Sequence, residues 1–425
     1  MPARSETGDP PADLTADAVR RLRQRGQWLD GPSGSRGGGA GRVVAVARAL
    51  CGVQAQYEAA TALAVRARSS GLVAGDVEAA RVEQRSVVWT WCQRGTLHLL
   101  AADDLPWLLS LLGPIFSRIS RRKERLGLDA ATLARGEAAL LEVLGGRGPL
   151  PRAAIAAGLR SRGLPLEGQA VPHLLAYAAH RGVLCYGPGE AAKPTYVLLR
   201  DWLPGWGDGP RGLPRERALA ELARRYLAAY GPATPQDLAA WSGLPLGEAR
   251  AAWGAIEREL LAVRAAGTEA WLLRAQRPAA EPAAARRPAA PAVRLVAGYD
   301  PYLLGYRRRD LAVPAAHARR VHPGGGLLHP TLLVDGLAAG TWHSRARGAQ
   351  GAGLEVTVQP FEALAPAVRR GLAAEADDVG RFLGAPATLQ LAALGAGPAA
   401  GGGSGAPPAP RRRAAGSSTP SSPRR

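Results

Sequence analysis

Two stretches of this chain echo one another, and the echo limits what it can fold into. "GRGPLPRAAIAAGL" (Gly146–Leu159) and "AYGPATPQDLAAWSGL" (Ala229–Leu244) each set a Gly-Pro turn and a second proline before an apolar helical run that ends in Gly-Leu. Proline suits the first turn of a helix and breaks its interior, so each stretch reads as a turn entering a new helix. A helical pattern precedes each ("TLARGEAALLEVL", "RERALAELARRYLAAY") and another follows ("VPHLLAYAAHRGVL", "LGEARAAWGAIERELL"). Each unit then closes in a strand pair, "LCYGPGEAAKPTYVLL" (Leu184–Leu199) and "LAVRAAGTEAWLLR" (Leu261–Arg274). Helix, turn, helix, helix, hairpin is the order of a winged helix-turn-helix.

The first 120 residues hold the same ingredients: helical patterns at Thr15–Leu29, Arg42–Leu50 and Leu105–Leu112, and strands within "SVVWTWCQRGTLHLL". Beyond a Pro/Ala-rich stretch the grain changes to short β runs with glycine turns, then a helix at Leu364–Leu383. The predicted architecture is mainly α with β. Three tandem winged-helix modules (1–120, 121–204, 205–276) lead through a stiff linker (277–292) to a C-terminal β-rich domain (293–394) and a disordered tail (395–425). "GPSGSRGGGAG" (Gly31–Gly41) reads as a flexible loop.

The net charge of +19 points to a polyanionic partner. Five arginines beyond Pro398 account for five of those charges and leave +14 on residues 1–398. A solvated, Arg-rich enzyme surface is the plain alternative. Cys51, Cys92 and Cys185 stand singly among apolar residues, as buried thiols of a reducing compartment do. No apolar run approaches the about 20 residues of a membrane span, and the start lacks a signal-peptide core. The expectation is a soluble, cytoplasmic, nucleoid-associated monomer.

Within "RALCGVQAQYEAA" (Arg48–Ala60), Gly52 is placed to end a helix as its C′ residue. Gln54 and Gln56 then fall in extended chain, where residues two apart share a face. Two neutral amides aimed at one point can fix a small polar molecule; the alternative is helix-end amides that satisfy backbone groups. Downstream, Arg94, Thr96 and His98 alternate as if on one polar strand face, suited to a phosphate or base edge. The competing reading puts Arg94 and Thr96 at the turn of a wing. Asp103 and Asp104 read as the cap and first turn of the next helix. GxSxG, HExxH, Walker and CxxC motifs are absent from the sequence. Lys123, in "RRKER", reads as a solvated or phosphate-facing position, and Lys193 precedes a proline; neither resembles a Schiff-base lysine. His322 and His329 have no third ligand nearby, so no metal or cofactor is expected.

"GVQAQ", "RGTLHLL", "DLPWLL", "GPATPQDLAAWSGLPLGEARAAW", "YVLLRDWL", "DPYLLGYR" and "LHPTLLVDGLAAGTW" together resemble the winged-helix DNA-glycosylase family abundant in actinobacteria, from about Leu14 to Leu383. The resemblance implies modules arranged around duplex DNA and a catalytic glutamine–apolar–glutamine motif at Gln54, Ala55 and Gln56. It also implies a monofunctional hydrolase that removes N7-alkylated purines, bulky adducts and cross-links included. The predicted partner is double-stranded DNA carrying such purines. Candidate DNA-holding residues are Arg94, Thr96 and His98, then Arg118, Arg121, Arg122 and Arg125 on one helix, and Arg307, Arg308 and Arg309. Two other classes stay open: a non-catalytic DNA-binding regulator or architectural protein, and a regulator whose β-rich domain senses a small molecule.

Overall fold

The computed structural model describes residues 12–31, 38–189, 193–207, 209–277, 290–347 and 353–394. Most of the glycine loop, most of the Pro/Ala linker and the tail from Gly395 lie outside these. The chain opens with β1 (Ala12–Leu14) and α1 (Ala16–Gly26). Thr15 caps α1 by accepting from Ala18 N at 3.2 Å, and Asp17 in its first turn pairs with Arg20 and Arg21. α2 (Gly39–Ala49), β2 (Val53–Gln54) and α3 (Glu58–Arg66) follow, then α4 (Ala74–Glu78). The helix therefore starts inside the stretch expected to be loop.

β3 (Val87–Trp91) and β4 (Leu97–Ala101) complete a sheet of order β2–β4–β3. α5 (Leu105–Phe116) runs past its expected end. Asp104 stands at its start without capping it through the side chain. Its carboxylate instead accepts from Trp107 Nε1 at 3.2 Å and faces Arg225, while exposed Asp103 pairs with Arg48.

The second repeat comprises α6 (Arg121–Arg125), α7 (Ala130–Leu144), β5 (Leu150–Pro151), α8 (Arg152–Arg160), α9 (Ala170–His180), β6 (Leu184–Tyr186), β7 (Thr195–Leu198) and α10 (Leu199–Trp202). The third has α11 (Arg215–Tyr230), α12 (Pro235–Ser242), α13 (Leu246–Ala255), β8 (Leu260–Ala265) and β9 (Thr268–Leu273). In α12 the anticipated proline and glycine act as expected, Pro235 taking the first turn and Gly243 closing the helix at φ +82°, and Thr234 and Asp237 add a capping box. β1 joins this last hairpin, pairing parallel with β8, and Leu14, Val19 and Leu22 bury with Val263 and Leu272. Residues 12–26 thus pack on the third repeat and on the C-terminal segment, where Arg20 donates to Leu311 O at 3.2 Å.

Trp89 and Trp91 share a strand face, as their alternation predicts. That face packs outward onto the second repeat: Trp89 stacks on Tyr186 at 5.1 Å and Trp91 on Tyr196 at 6.5 Å. The C-terminal segment is a five-stranded sheet of β10 (Val293–Val296), β11 (Thr331–Val334), β12 (Leu337–Arg347), β13 (Gly353–Pro360) and β14 (Ala387–Leu391). Only the β13–β14 pair is parallel, and the connecting α14 (Pro366–Leu383) covers the sheet through Val368, Leu372 and Val379. Among the described residues no helix is long and apolar enough to cross a membrane.

Two arginines at the end of α3 tie this sheet to the first repeat. Arg66 is 1 % exposed and donates to Leu295 O at 2.7 Å, Glu375 at 3.0 Å and Asp378 at 3.0 Å. Arg68 makes a two-pronged pair with Asp300 and a third bond to Gln27 at 3.1 Å. Buried charges tolerate such placement only when paired and hydrogen-bonded; the terminal nitrogens of both guanidinium groups are, while the Nε of each finds no partner among the described residues.

Candidate active site

α2 ends in a Schellman turn, but not on the expected residue. Cys51 takes the left-handed C′ position at φ +53°, and Gly52, one residue on at φ +112°, donates to Ala47 O at 2.8 Å. Gly52 is needed for space as well, since a Cβ there would meet Leu100 at 2.6 Å. The buried Gln93 side chain seals the turn, donating to Cys51 O at 2.5 Å.

The chain then extends. Val53 pairs with Leu99 and Gln54 with His98, and Ala55 N–H donates to Leu97 O at 2.8 Å. Ala55 is fully buried, whereas Gln54 is half-buried and Gln56 exposed. One inward alanine between two outward glutamines is the period-two alternation expected for this stretch. α3 begins directly afterwards, and Thr61 secures the junction by donating to Tyr57 O at 2.9 Å. The Gln56 side chain meets no partner among the described residues.

Arg94, Thr96 and His98 do not share a strand face. A tight turn over Cys92–Thr96, with Arg94 at φ +54° and Gly95 at φ +66°, lifts Arg94 off the strand. Its guanidinium donates to Gln54 Oε1 and to the Trp241 carbonyl at the end of α12. Burial lowers its pKa to about 10, which leaves it charged at neutral pH. Thr96 Oγ1 donates to Gln93 O at 3.1 Å within the same turn. His98 is buried; Nδ1 donates to Thr96 O at 3.0 Å, and burial followed by the Arg94 charge lowers its pKa to about 3. It stays neutral and is unavailable to a phosphate.

Other parts of the chain wall the glutamine pair. Tyr57 meets Tyr299 of the C-terminal segment at 5.7 Å, Tyr230 donates to Leu50 O at 3.3 Å, and Gly243 lies against Arg94 and Phe116. Arg309 is turned inward, donating to Leu303 O at 2.7 Å, and its charge reaches Arg94. Neighbouring Arg307 and Arg308 are exposed, Arg308 beside Asp310 at 3.2 Å. Arg121, Arg122 and Arg125 lie exposed on α6, but Arg118 precedes that helix. Lys123 is not solvated: it is buried, and its ammonium donates to the carbonyls of Phe116, Ser117 and Arg118 at 3.1, 3.1 and 2.7 Å. Burial raises the Cys51 thiol pKa and pushes that of Cys92 to about 12, so neither is a nucleophile at neutral pH.

Sequence reasoning missed Arg66, Arg68, Asp300, Trp241 and Tyr299. The available signal was a pair of arginines inside an otherwise apolar helix end, "ATALAVRARSS", which a chain so rich in arginine hides.

This site sits within a recognisable whole. The family model "DNA glycosylase AlkZ-like" matches residues 47–382, a span that includes both glutamines. A curated relative from Streptomyces sahachiroi, an interstrand DNA cross-link repair glycosylase, is 32% identical over 317 residues, covering 69% of this chain and 80% of the relative. The solved structure of the Streptomyces sahachiroi DNA glycosylase AlkZ superposes with a TM-score of 0.74 at 25% identity, covering 89% of this chain and 100% of that one. The chain belongs to the AlkZ-like DNA glycosylase family.

Proposed function

We propose that the protein hydrolyses the N-glycosidic bond of N7-alkylated purines in duplex DNA, cross-linked purines included, with Gln54 and Gln56 positioning the attacking water. The observation that carries this reading is two outward amides flanking a buried alanine, with no carboxylate among the described residues that bond Gln54, Arg94 and His98.

A purine alkylated at N7 is already a cation and leaves as a neutral base, so no general acid is needed. What remains is to hold a water against the anomeric carbon and to stabilise an oxocarbenium-like sugar. An amide dipole does both, without the full charge that would grip a cationic lesion in its ground state. With no nucleophilic lysine at the site, the product is an abasic site and an uncut strand.

Residues 1–120, 121–204 and 205–276 are read as three winged-helix modules, joined through 277–292 to a β-rich domain at 293–394. The helix–helix–helix–hairpin order of the second and third repeats supports this. The exposed arginines Arg118, Arg121, Arg122, Arg125, Arg307 and Arg308 are the phosphate-holding candidates. The protein would act as a nucleoid-associated, cytoplasmic monomer in repair of, or self-protection against, alkylating genotoxins.

The test is incubation with duplex carrying 7-methyl-2′-deoxyguanosine or a nitrogen-mustard cross-link. Free base and alkali-labile abasic sites are expected, and borohydride should trap no adduct. Release no faster than in buffer across several N7 adducts would leave a non-catalytic DNA-binding protein as the better reading.

A further inference from the structure

Arginine carries five N–H donors and no acceptor, so it can meet only the oxygen end of a glutamine amide. The Arg94–Gln54 bond therefore decides which way the Gln54 amide faces. Its oxygen is turned toward Arg94. Its nitrogen meets no acceptor among the described residues and is not buried.

Arg94 is itself held from three sides. Its backbone sits in a left-handed turn, and a Cβ on Gly243 would come within 3.1 Å of its Cα and 2.5 Å of the Phe116 ring. Its second nitrogen is fixed by the carbonyl of Trp241, at the electronegative end of α12. Trp241 and Gly243 belong to the third repeat, whereas Arg94, Phe116 and Gln54 belong to the first, so the guanidinium joins the glutamine to the third repeat. Both of its bonded acceptors are neutral carbonyls. A cation placed to grip DNA would face outward, as Arg121, Arg125 and Arg307 do; this one is turned in.

We propose that Arg94 is a positioning residue for the glutamine pair: it locks the Gln54 amide with its NH2 turned away from Arg94 as a free hydrogen-bond donor, and leaves Gln56 as the amide that accepts from the attacking water. The inference rests on the glycosylase reading above. It divides the labour between two residues that the sequence presents as equivalent. Gln54 holds an oxygen atom of the water or the substrate in place, and Gln56 accepts a hydrogen bond from the water, which turns a lone pair of its oxygen toward the sugar. Arg94 touches neither.

Single-turnover base release and duplex binding, measured on the full-length protein with 7-methyl-2′-deoxyguanosine DNA, separate the possibilities. Arg94→Met is expected to slow the chemical step by roughly 10- to 100-fold, the effect of misplacing a reacting group by about an ångström. Its DNA affinity and salt slope should match wild type. Arg94→Lys, still donor-only but able to hold one carbonyl well, should recover part of the rate. Arg94→Met combined with Gln54→Ala should be no slower than Gln54→Ala alone, because the arginine acts through that amide. A salt slope lower by about 0.9 at unchanged rate would instead make Arg94 a phosphate contact. Multiplying effects in the double variant would make it act independently of Gln54, and either result overturns the proposal. If Arg94→Met does not fold, Arg94→Lys carries the test alone, and a wild-type rate in it overturns the proposal. An inert wild type sinks the glycosylase reading itself, whereas an active wild type with an equally active Arg94→Met sinks only this inference.

Discussion

Arg68 and Asp300 face each other with neither side chain exposed, at 2.7 Å for one prong and 2.9 Å for the other. Asp300 also caps the turn that begins the C-terminal segment's first short helix, accepting from Tyr302 N at 2.9 Å. Removing one partner strands a buried charge, so Asp300→Ala should destabilise the protein by about 3–5 kcal/mol. Replacing both by apolar residues should recover much of that loss. Thermal melting of the single and double variants checks this, and equal melting for Asp300→Ala and wild type would refute it.

Gln54→Ala and Gln56→Ala should each slow base release by roughly 10–1000-fold, since one directed dipole, once bound DNA covers the site, contributes roughly 2–4 kcal/mol. DNA affinity should stay near wild type, because a neutral amide adds little to phosphate binding. Rates and affinities measured on the same lesion-bearing duplex decide it.

Base release should be nearly independent of pH between about 5.5 and 8.5. Arg94, with a pKa of about 10, stays charged throughout this range, and His98, at about 3, stays neutral. A sigmoidal loss of rate within that window would reveal a titrating catalytic group that the glutamine mechanism does not contain.

Stability should respond to acid even where catalysis does not. Burial lowers the pKa of His98 to about 3 and those of His180 and His322 to about 4. Unfolding frees these rings to protonate near 6.5, so the unfolded chain binds more protons between those values and stability falls as pH falls. Their contribution is complete above pH 6.5. Melting temperature should therefore drop more steeply from about pH 6 to 4.5 than from about pH 8 to 6.5.

Duplex affinity should fall steeply with salt, each phosphate contact adding about 0.9 to the slope of log K against log salt. Arg121→Gln, Arg125→Gln and Arg307→Gln each remove an exposed cation and should flatten that slope without changing the rate of base release. A flat dependence in the wild type would count against duplex binding.

The alternation of Gln54, Ala55 and Gln56 was legible because a strand's period of two survives in any context. The helices of the second and third repeats were legible because their prolines act locally, though α8 runs on through Gly158 and Leu159 to Arg160 where the Gly-Leu pattern ends it. Arg94 stayed open between a strand face and a turn, and the turn is what the chain forms. By spacing it belongs with Thr96 and His98, but a positive φ at two successive residues turned a strand face into a corner. Cys51 occupies a left-handed position that any reader would give to Gly52, since the hydrogen-bond count of the turn is visible only in three dimensions. Lys123, Arg66 and Arg68 look like surface charge in a chain of net charge +19, and only their carbonyl and carboxylate partners, distant in sequence or folded back, reveal them as buried.

Helix α3 joins two distant parts of the fold. The glutamine pair leads into one end, and the arginines gripping the five-stranded sheet sit at the other. Its nine residues span about 13 Å, so a tilt of about 5° swings the far end by about 1 Å. A shift of that size is enough to lose roughly 100-fold in rate. If the glutamines position the water as proposed, accuracy at the reacting atoms would be calibrated in the β-sheet. Loosening that sheet would first appear as slow turnover on DNA that is still firmly held.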